Sequence, residues 1–586
     1  MTTPRTHRSL RQRLPERTRL LLLSFVTGLA SGFAAVLLVG CIDGIKHLLD
    51  GAVSIKYHLQ YLILPGVGML LSLLLLRYVI RDNIGHGVTK VLLAVSRGES
   101  KIKPHNMWSS LATSALTIGF GGSVGAEAPI VYTGAAIGSN LGRWAGLSYR
   151  NVTILLGCGA AGAISGIFKA PLAGVLFTME ILLFNISLSS MLPLLISTIS
   201  ATVVSYIFRG QTPMFACTLT PFAMGNIPFY ILMGVVMGFG ALYFTNGTLW
   251  LEDKLSRLRS PYLRWALCAV GLGLLIFLFP QLYGEGYDVV GDLLNGRDIE
   301  SEGLSPLVFL LTSRWGLPLF FALVFFFKVL AMTVTNSGGG NGGTFGPTLF
   351  CGAIAGFVIA RILNMSGADV PEHNFVLVGM AAMMAGVMQA PMTAIFLIAE
   401  ISGGYELLIP LILTSTVSYG TVRIFEKHSI YNKRIAQSGD LLTHEPDQAV
   451  LTLMSTDKLV RDKYPRIGID DTLRKVVAAV TDSTAAVLPV LDGQNRFQGM
   501  IDVGNIRRYL MRTDLYDKVR ARNIMEHSPA LILRGEKMDS VMAKFDKTGA
   551  WRLPVVDEDR RYLGFISRSR LLMAYRDELR EISNED

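Results

Sequence analysis

Twenty-three residues of this chain occur twice. GGSVGAEAPIVYTGAAIGSNLGR, Gly121 to Arg143, matches GGNGGTFGPTLFCGAIAGFVIAR, Gly339 to Arg361, with Pro129, Gly134, Gly138 and Arg143 falling on Pro347, Gly352, Gly356 and Arg361 at identical spacing. Further along, Ala170-Pro171 followed by Glu180 recurs as Ala390-Pro391 followed by Glu400. Ordered matches over about sixty residues point to duplication, a self-similarity that governs a fold before any local pattern does. The repeated stretches are apolar and rich in glycine. With hydrophobic residues at 51% and charged residues at 17% of 586, they lie in a chain too apolar for a soluble enzyme.

Apolar runs of membrane type extend from Leu20–Cys41 to Leu407–Val422, through Tyr61–Leu76, Asn151–Phe168, Phe229–Phe244, Trp265–Leu278 and Leu317–Val334. Several are shorter than the ~20 residues of a straight span or are broken by Gly or Pro. Broken backbone at membrane depth is tolerated where it is buried in protein or lines a cavity, which suits a transporter or channel. Duplicated transporter halves commonly have opposite orientation and meet near the midplane, presenting helix N-termini to the substrate. Unpaired N–H groups and about half a positive charge at each such end stabilise an anion, and Gly and Pro at the repeated motifs suit helix starts that a ligand can approach. A small anion is the implied substrate.

Glu127 and Glu180 are the only acids between Lys103 and Leu251, and both lie in the repeated elements. An acid inside a membrane segment is by default a functional candidate. Glu127, in Gly125-Ala126-Glu127-Ala128-Pro129, sits at an expected helix start, where an ionised carboxylate competes with an anion and a protonated one releases the place. Glu180 pairs through the repeat with Glu400, so a shared structural role, tying a neighbouring loop, is expected of both.

Arginines dominate the first nineteen residues, and by the positive-inside rule this end faces the cytoplasm. From Leu441 to Asp586 there are 24 Lys+Arg and 23 Asp+Glu, the mark of a soluble tail. Cys41, Cys158, Cys217, Cys268 and Cys351 have no paired spacing, so neither a disulfide framework nor a metal centre is expected. Within the tail, VLPVLDGQNRFQGMIDVGNIRRYL (487–510) and RLPVVDEDRRYLGFISRSRLLMAY (552–575) each read as strand, turn, strand and helix. Arg507, Arg508 and Arg512 form a solvated helical face, and nothing with them suggests a nucleic-acid partner.

At these residues the chain resembles the CLC chloride channel and transporter family with C-terminal tandem CBS domains. Its three anion-site motifs resemble Gly85-His86-Gly87-Val88-Thr89, Gly125-Ala126-Glu127-Ala128-Pro129 and Gly342-Gly343-Thr344-Phe345-Gly346-Pro347, and its pore tyrosine resembles Tyr431 in His428-Ser429-Ile430-Tyr431. The resemblance implies a polytopic α-helical fold of two inverted repeats with broken helices and a cytoplasmic α/β CBS pair. The implied divisions are a basic N-terminus (1–18), a membrane domain (19–435, halves 19–225 and 226–435), a linker (436–453) and the CBS pair (454–586, copies about 454–515 and 520–580). It implies a homodimer in the bilayer with one chloride pathway per subunit, Glu127 as external gate, and an anion site drawn from Tyr431, the backbone of Thr344 and Phe345, His86, Gly87 and Ala126. No enzymatic activity is implied. A multi-pass protein of the bacterial inner membrane is expected.

The chain departs from the family at five places. His86 and Thr89 stand where serine and proline are usual, and Ala126 and Ala128 where arginine and glycine are. Ile181 occupies the position that in proton-coupled members holds an inner glutamate, and an apolar side chain relays no proton. Passive chloride conduction gated by Glu127 is therefore the expectation, with chloride/proton antiport as the alternative and a CBS-based membrane sensor as the third reading. Tyr431 argues against the fluoride-exporting branch. In some CBS pairs an Asp binds the ribose of an adenine nucleotide; here Asp502 and Asn505 occupy those places in one copy, Ser567 and Arg570 in the other. A nucleotide is the one cofactor considered, and the alternative is a module that only stabilises a dimer.

Overall fold

A computed structural model describes residues 15–52, 60–82, 84–96, 100–182, 188–215, 217, 219–296, 307, 313–437, 454, 456–510 and 512–583. Most of the 436–453 linker and residues 1–14 lie outside these. The chain divides into two compact units, Met1–Leu442 and Thr443–Asp586.

The first unit is helical. Its first half contains α1 (Glu16–Ala52), α2 (Gln60–Leu74), α3 (Gly87–Ser96), α4 (Ser109–Gly119), α5 (Glu127–Trp144), α6 (Tyr149–Phe168), α7 (Pro171–Phe177, continued by a wide turn to Leu182) and α8 (Leu188–Arg209). The second half contains α9 (Ile227–Ser256), α10 (Pro261–Leu278), α11 (Tyr287–Asn295), α12 (Gly316–Ser337), α13 (Phe345–Met365), α14 (Glu372–Met388), α15 (Pro391–Ile401), α16 (Leu408–Phe425) and α17 (Ile430–Gln437). Among the described residues, nine helices are long and apolar enough to cross a membrane.

The duplicated sequence folds as duplicated structure. A Cβ on Gly134 would lie 2.1 Å from the Gly159 carbonyl oxygen, and one on Gly352 would lie 2.5 Å from that of Gly379. The repeated glycines thus let α5 lie backbone to backbone on α6, and α13 on α14, as small residues do between membrane helices. Lys169 and Gln389, each before an Ala-Pro pair, both take left-handed backbone, φ 59° and 54°. Reciprocal bonds then join the halves. Ser123 N–H donates to Thr335 Oγ1 (3.3 Å) and Asn341 N–H to Thr117 Oγ1 (3.0 Å). The Glu180 carboxylate accepts from the N–H groups of Met392 (3.1 Å) and Thr393 (2.7 Å), while Glu400 accepts from those of Leu172 (3.1 Å) and Ala173 (2.9 Å). Each acid caps the helix start of the other half, a sharper role than the loop tie its sequence suggests. All five cysteines are free.

The second unit holds two copies of one motif. In the first, β1 (Ile467–Gly468), α18 (Leu473–Thr481), β2 (Val487–Leu491), β3 (Phe497–Asp502) and α19 (Val503–Leu510) form a sheet of order β1-β2-β3. In the second, β4 (Ile532–Leu533), α20 (Met538–Thr548), β5 (Arg552–Val556), β6 (Tyr562–Ser567) and α21 (Arg568–Ser583) repeat that order. The same irregularity, at Val490/Leu491 and at Val555/Val556, bends both hairpins. The copies meet where Phe497, Tyr562 and Phe565 pack together.

Candidate functional site

The two repeated glycine loops meet at Gly125 and Gly343, which are equivalent in the repeat. Each donates its N–H to the other's carbonyl, at 3.1 and 2.6 Å, as an antiparallel bridge. The exchange of identical bonds between equivalent residues is the signature of an internal two-fold. It brings the starts of α5 and α13 together, with Glu127 and Phe345 at equivalent first positions. First-turn N–H groups have no intrahelical acceptor, so two sets of donors face one place.

Glu127 lies there with 1% of its surface exposed. Its carboxylate accepts the Tyr287 hydroxyl and the Gly346 N–H (3.2 Å), so it holds a position at the start of α13 that suits an anion. Glycine leaves the carboxylate its room on both sides: a Cβ on Gly125 would lie 2.1 Å from Glu127 Oε2 and one on Gly346 would lie 2.9 Å from Oε1. Behind it, the Lys328 ammonium donates to Ser123 Oγ (2.9 Å) and to the carbonyls of Gly284 (3.0 Å) and Glu285 (3.3 Å). It lies 4.7 Å from the centre of the Phe350 ring. A buried cation is tolerated only with such partners. Tyr287, which holds Glu127, also lines an open cavity of about 420 Å³ with Met214, Phe215, Asp288 and Asn295.

Beyond Glu127 stand Tyr431 and Thr344. Thr344 lies beside the Tyr431 hydroxyl, and among the described residues no well-formed hydrogen bond satisfies either buried side-chain oxygen. A buried donor left unsatisfied costs about 1–3 kcal/mol, which a small anion accepting from both would offset. Phe345 closes one side, its ring 5.5 Å from that of Phe168 and 6.1 Å from that of Phe177. Tyr431, Thr344, Phe345 and Glu127 are therefore brought together.

His86 and Ala126 are placed otherwise than an anion-binding role requires. The Ala126 N–H donates to the Glu285 carboxylate at 2.8 Å, so an acid already takes that amide. His86, in left-handed backbone (φ 53°), sets its Nε2 3.6 Å from Glu252 Oε1, and a carboxylate there repels a second anion. Glu252 in turn receives Arg434 through Nη2 (2.6 Å) and Nε (3.3 Å). Gly87 begins α3, where a Cβ would lie 2.4 Å from the Ala128 carbonyl oxygen; it lets α3 reach α5. Ile181 is buried in the main apolar core.

In the tail, Asp502 Oδ1 accepts the Gly504 N–H (2.7 Å) and Asn505 donates to Glu526 Oε1 (2.7 Å). Ser567 Oγ accepts the Arg570 N–H (3.4 Å). Asp502 and Ser567 thus serve local turns, and Asn505 ties α19 to Glu526.

Tyr287, Glu285, Lys328, Glu252 and Arg434 were not singled out by sequence reasoning. A signal existed for Lys328, the one charge between Arg314 and Arg361 in a run of membrane type. The other four carry no local mark, since their partners lie far along the chain.

Known proteins resemble this chain in sequence and fold. The family model described as voltage gated chloride channel matches residues 67–423, and that of the CBS domain residues 521–577. A protein of Ralstonia nicotianae named as a chloride channel, ClcB-like, is 28% identical over 436 residues, covering 72% of this chain and 97% of that one. The H(+)/Cl(-) exchange transporter ClcA of Salmonella paratyphi B is 27% identical over 433 residues, covering 70% of this chain and 86% of its own. A slow cyanobacterial Cl-/H+ antiporter has a similar fold, with a TM-score of 0.61 at 22% identity over 72% of this chain and 98% of that one. A eukaryotic CLC transporter follows the fold over 94% of this chain and 98% of its own, with a TM-score of 0.59 at 17% identity. With a duplicated membrane unit whose helix starts converge on a buried glutamate, and a tail of two CBS copies, the chain belongs to the voltage gated chloride channel (CLC) family of chloride transporters.

Proposed function

We propose that the chain is a chloride/proton antiporter in which Glu127 is both the gate and the carrier of the proton. The observation that carries this reading is the place of the Glu127 carboxylate, buried on the Gly346 N–H at the start of α13. Ionised, it stands where an anion would bind. Protonated, it no longer matches the positive end of the helix, and the amide passes to chloride. The Tyr431 and Thr344 hydroxyls then take the anion one step further. Because each exchange of carboxylate for chloride consumes or releases a proton at Glu127, the two fluxes are linked in opposite directions.

Passive conduction remains the second reading, and Ile181 favours it. Set against Ile181 is the exchange transporter named among the relatives, 27% identical over 433 residues. A homodimer with one pathway per subunit, in a bacterial inner membrane with the tail in the cytoplasm, completes the proposal. Asp502, Asn505 and Ser567 serve the tail's own fold in this reading, without an adenine nucleotide.

The test is the reversal potential of purified protein in liposomes under a chloride gradient, repeated with a pH gradient superimposed. A potential that shifts with the pH gradient is the expected result; one that follows chloride alone would establish a channel. Glu127→Gln, which neither ionises nor carries a proton, is expected to move chloride with no pH response and no proton coupling.

A further inference from the structure

The two helix starts that meet at the internal two-fold are not equally open. Ala126 and Thr344 are equivalent in the repeat, each following one of the bridged glycines Gly125 and Gly343. The Ala126 N–H is taken by Glu285 Oε1 at 2.8 Å, while among the described residues no side chain takes the N–H of Thr344.

Glu285 lies in the turn between α10 and α11 and is partly exposed, so its side chain had the choice of water. The turn is instead pinned against the start of α5 from three sides. The Gly284 N–H donates to the Gly121 carbonyl (3.1 Å), which ties the turn to the loop before α5. The Lys328 ammonium on α12 holds the carbonyls of Gly284 (3.0 Å) and Glu285 itself (3.3 Å). Gly284 and Gly286, on either side of the acid, take left-handed backbone (φ 61° and 88°), and a Cβ on Gly286 would lie 2.5 Å from the Phe350 ring on α13. Burial and the neighbouring Glu127 push the Glu285 carboxyl up to about 8, against the opposing pull of Lys46 on α1 and of Lys328. Near neutral pH it therefore keeps its proton, and its carbonyl oxygen accepts an amide in either state. Its hold on Ala126 does not come and go with pH.

We propose that Glu285 is a fixed occupant of the anion site: by holding the Ala126 amide it subtracts one donor from the two converging helix starts and so weakens chloride binding beside Glu127. The anion is left the Gly346 amide, once Glu127 gives it up, and the hydroxyls of Tyr431 and Thr344. A weakened place suits transport, because an ion that binds too firmly does not leave. Glu180 and Glu400 also cap helix starts, but those of α15 and α7; Glu285 takes an amide next to the gate itself.

This inference rests on the anion site of the proposed function, whether transport is coupled or passive, and the experiment separates the two. Chloride binding to purified full-length protein in detergent is measured by isothermal titration calorimetry near neutral pH. The background is Glu127→Gln, which removes the charged competitor, alone and combined with Glu285→Ala, Glu285→Ser or Glu285→Gln. Alanine and serine are too short to reach the amide, and each guards against misfolding of the other; glutamine keeps a carbonyl oxygen in place. A hydrogen bond to a charged group is worth about a factor of ten or more. The expected result is chloride binding about tenfold tighter with alanine or serine and unchanged with glutamine. Unchanged affinity with alanine and serine would overturn the inference while the anion site stood. A gain with glutamine equal to that with alanine would overturn it as well, because the charge of Glu285 and not its hold on the amide would then set the affinity. Glu127→Gln protein that binds no chloride would overturn the anion site and this inference together.

Discussion

Positions 127 and 345 are the same place in the two halves, yet one holds a carboxylate and the other a phenyl ring. The backbone around them is symmetric, as the paired bonds of Gly125 and Gly343 show, so the side chains alone give the path a direction. In the proposed mechanism Glu127 makes one end sensitive to protons, while Phe345, packed on Phe168 and Phe177, makes the other an apolar wall. The hydroxyl of Tyr287 decides how firmly the carboxylate is held. A hydrogen bond to a charged group contributes roughly 1.5–3 kcal/mol, which is about a factor of ten or more in occupancy. Tyr287→Phe is therefore expected to raise chloride flux at neutral pH about tenfold, measured with a chloride electrode on proteoliposomes; unchanged flux would show that Tyr287 does not hold the gate. Glu127 was legible in the sequence because an acid in an apolar repeat is expensive. Tyr287 was not, because a tyrosine in a Gly-x-Gly-Tyr turn has no mark until the fold brings it across 160 residues to the carboxylate.

Symmetry at the level of elements makes a sharper claim than similarity of sequence. Glu180 and Glu400 stand at equivalent places, and each caps the helix that begins at the other half's Ala-Pro pair, α15 and α7 respectively. The caps are unequal: Glu180 also accepts the Thr393 hydroxyl at 2.6 Å, and the residue equivalent to Thr393 is Ala173, which has none to offer. Loss of a cap costs about 0.5–2 kcal/mol, so Glu180→Gln and Glu400→Gln are both expected to lower the Tm in detergent, Glu180→Gln by more. Equal shifts would mean that the threonine contributes nothing. The repeat, the helix starts and the two tail copies were all readable in advance, because Gly, Pro and acid at fixed offsets report backbone geometry directly. The reversed placement of His86 and Ala126 was not. Whether a side chain turns to an anion or to a carboxylate of its own protein depends on Glu252 and Glu285, which belong to the other half.

At the scale of the whole molecule, transport and tail are separable in what they are made of. Every group brought to the site, from Lys328 and Tyr287 through Glu127 and Tyr431 to His86, lies within Met1–Leu442. The tail has apolar cores of its own, one around Val541, Phe545 and Leu553 and another around Val476, Leu488 and Ile501. In the proposed antiport, coupling between proton and chloride is a property of the path and is set by where Glu127 releases its proton. A module that supplies no group to the path can change how often the protein cycles, or how subunits associate, without changing what each cycle carries. A chain ending at residue 442 is therefore expected to keep the proton-to-chloride ratio of the full protein in liposomes, whatever happens to its rate. A truncated chain that still moved chloride but with an altered ratio would show that the tail acts on the path itself.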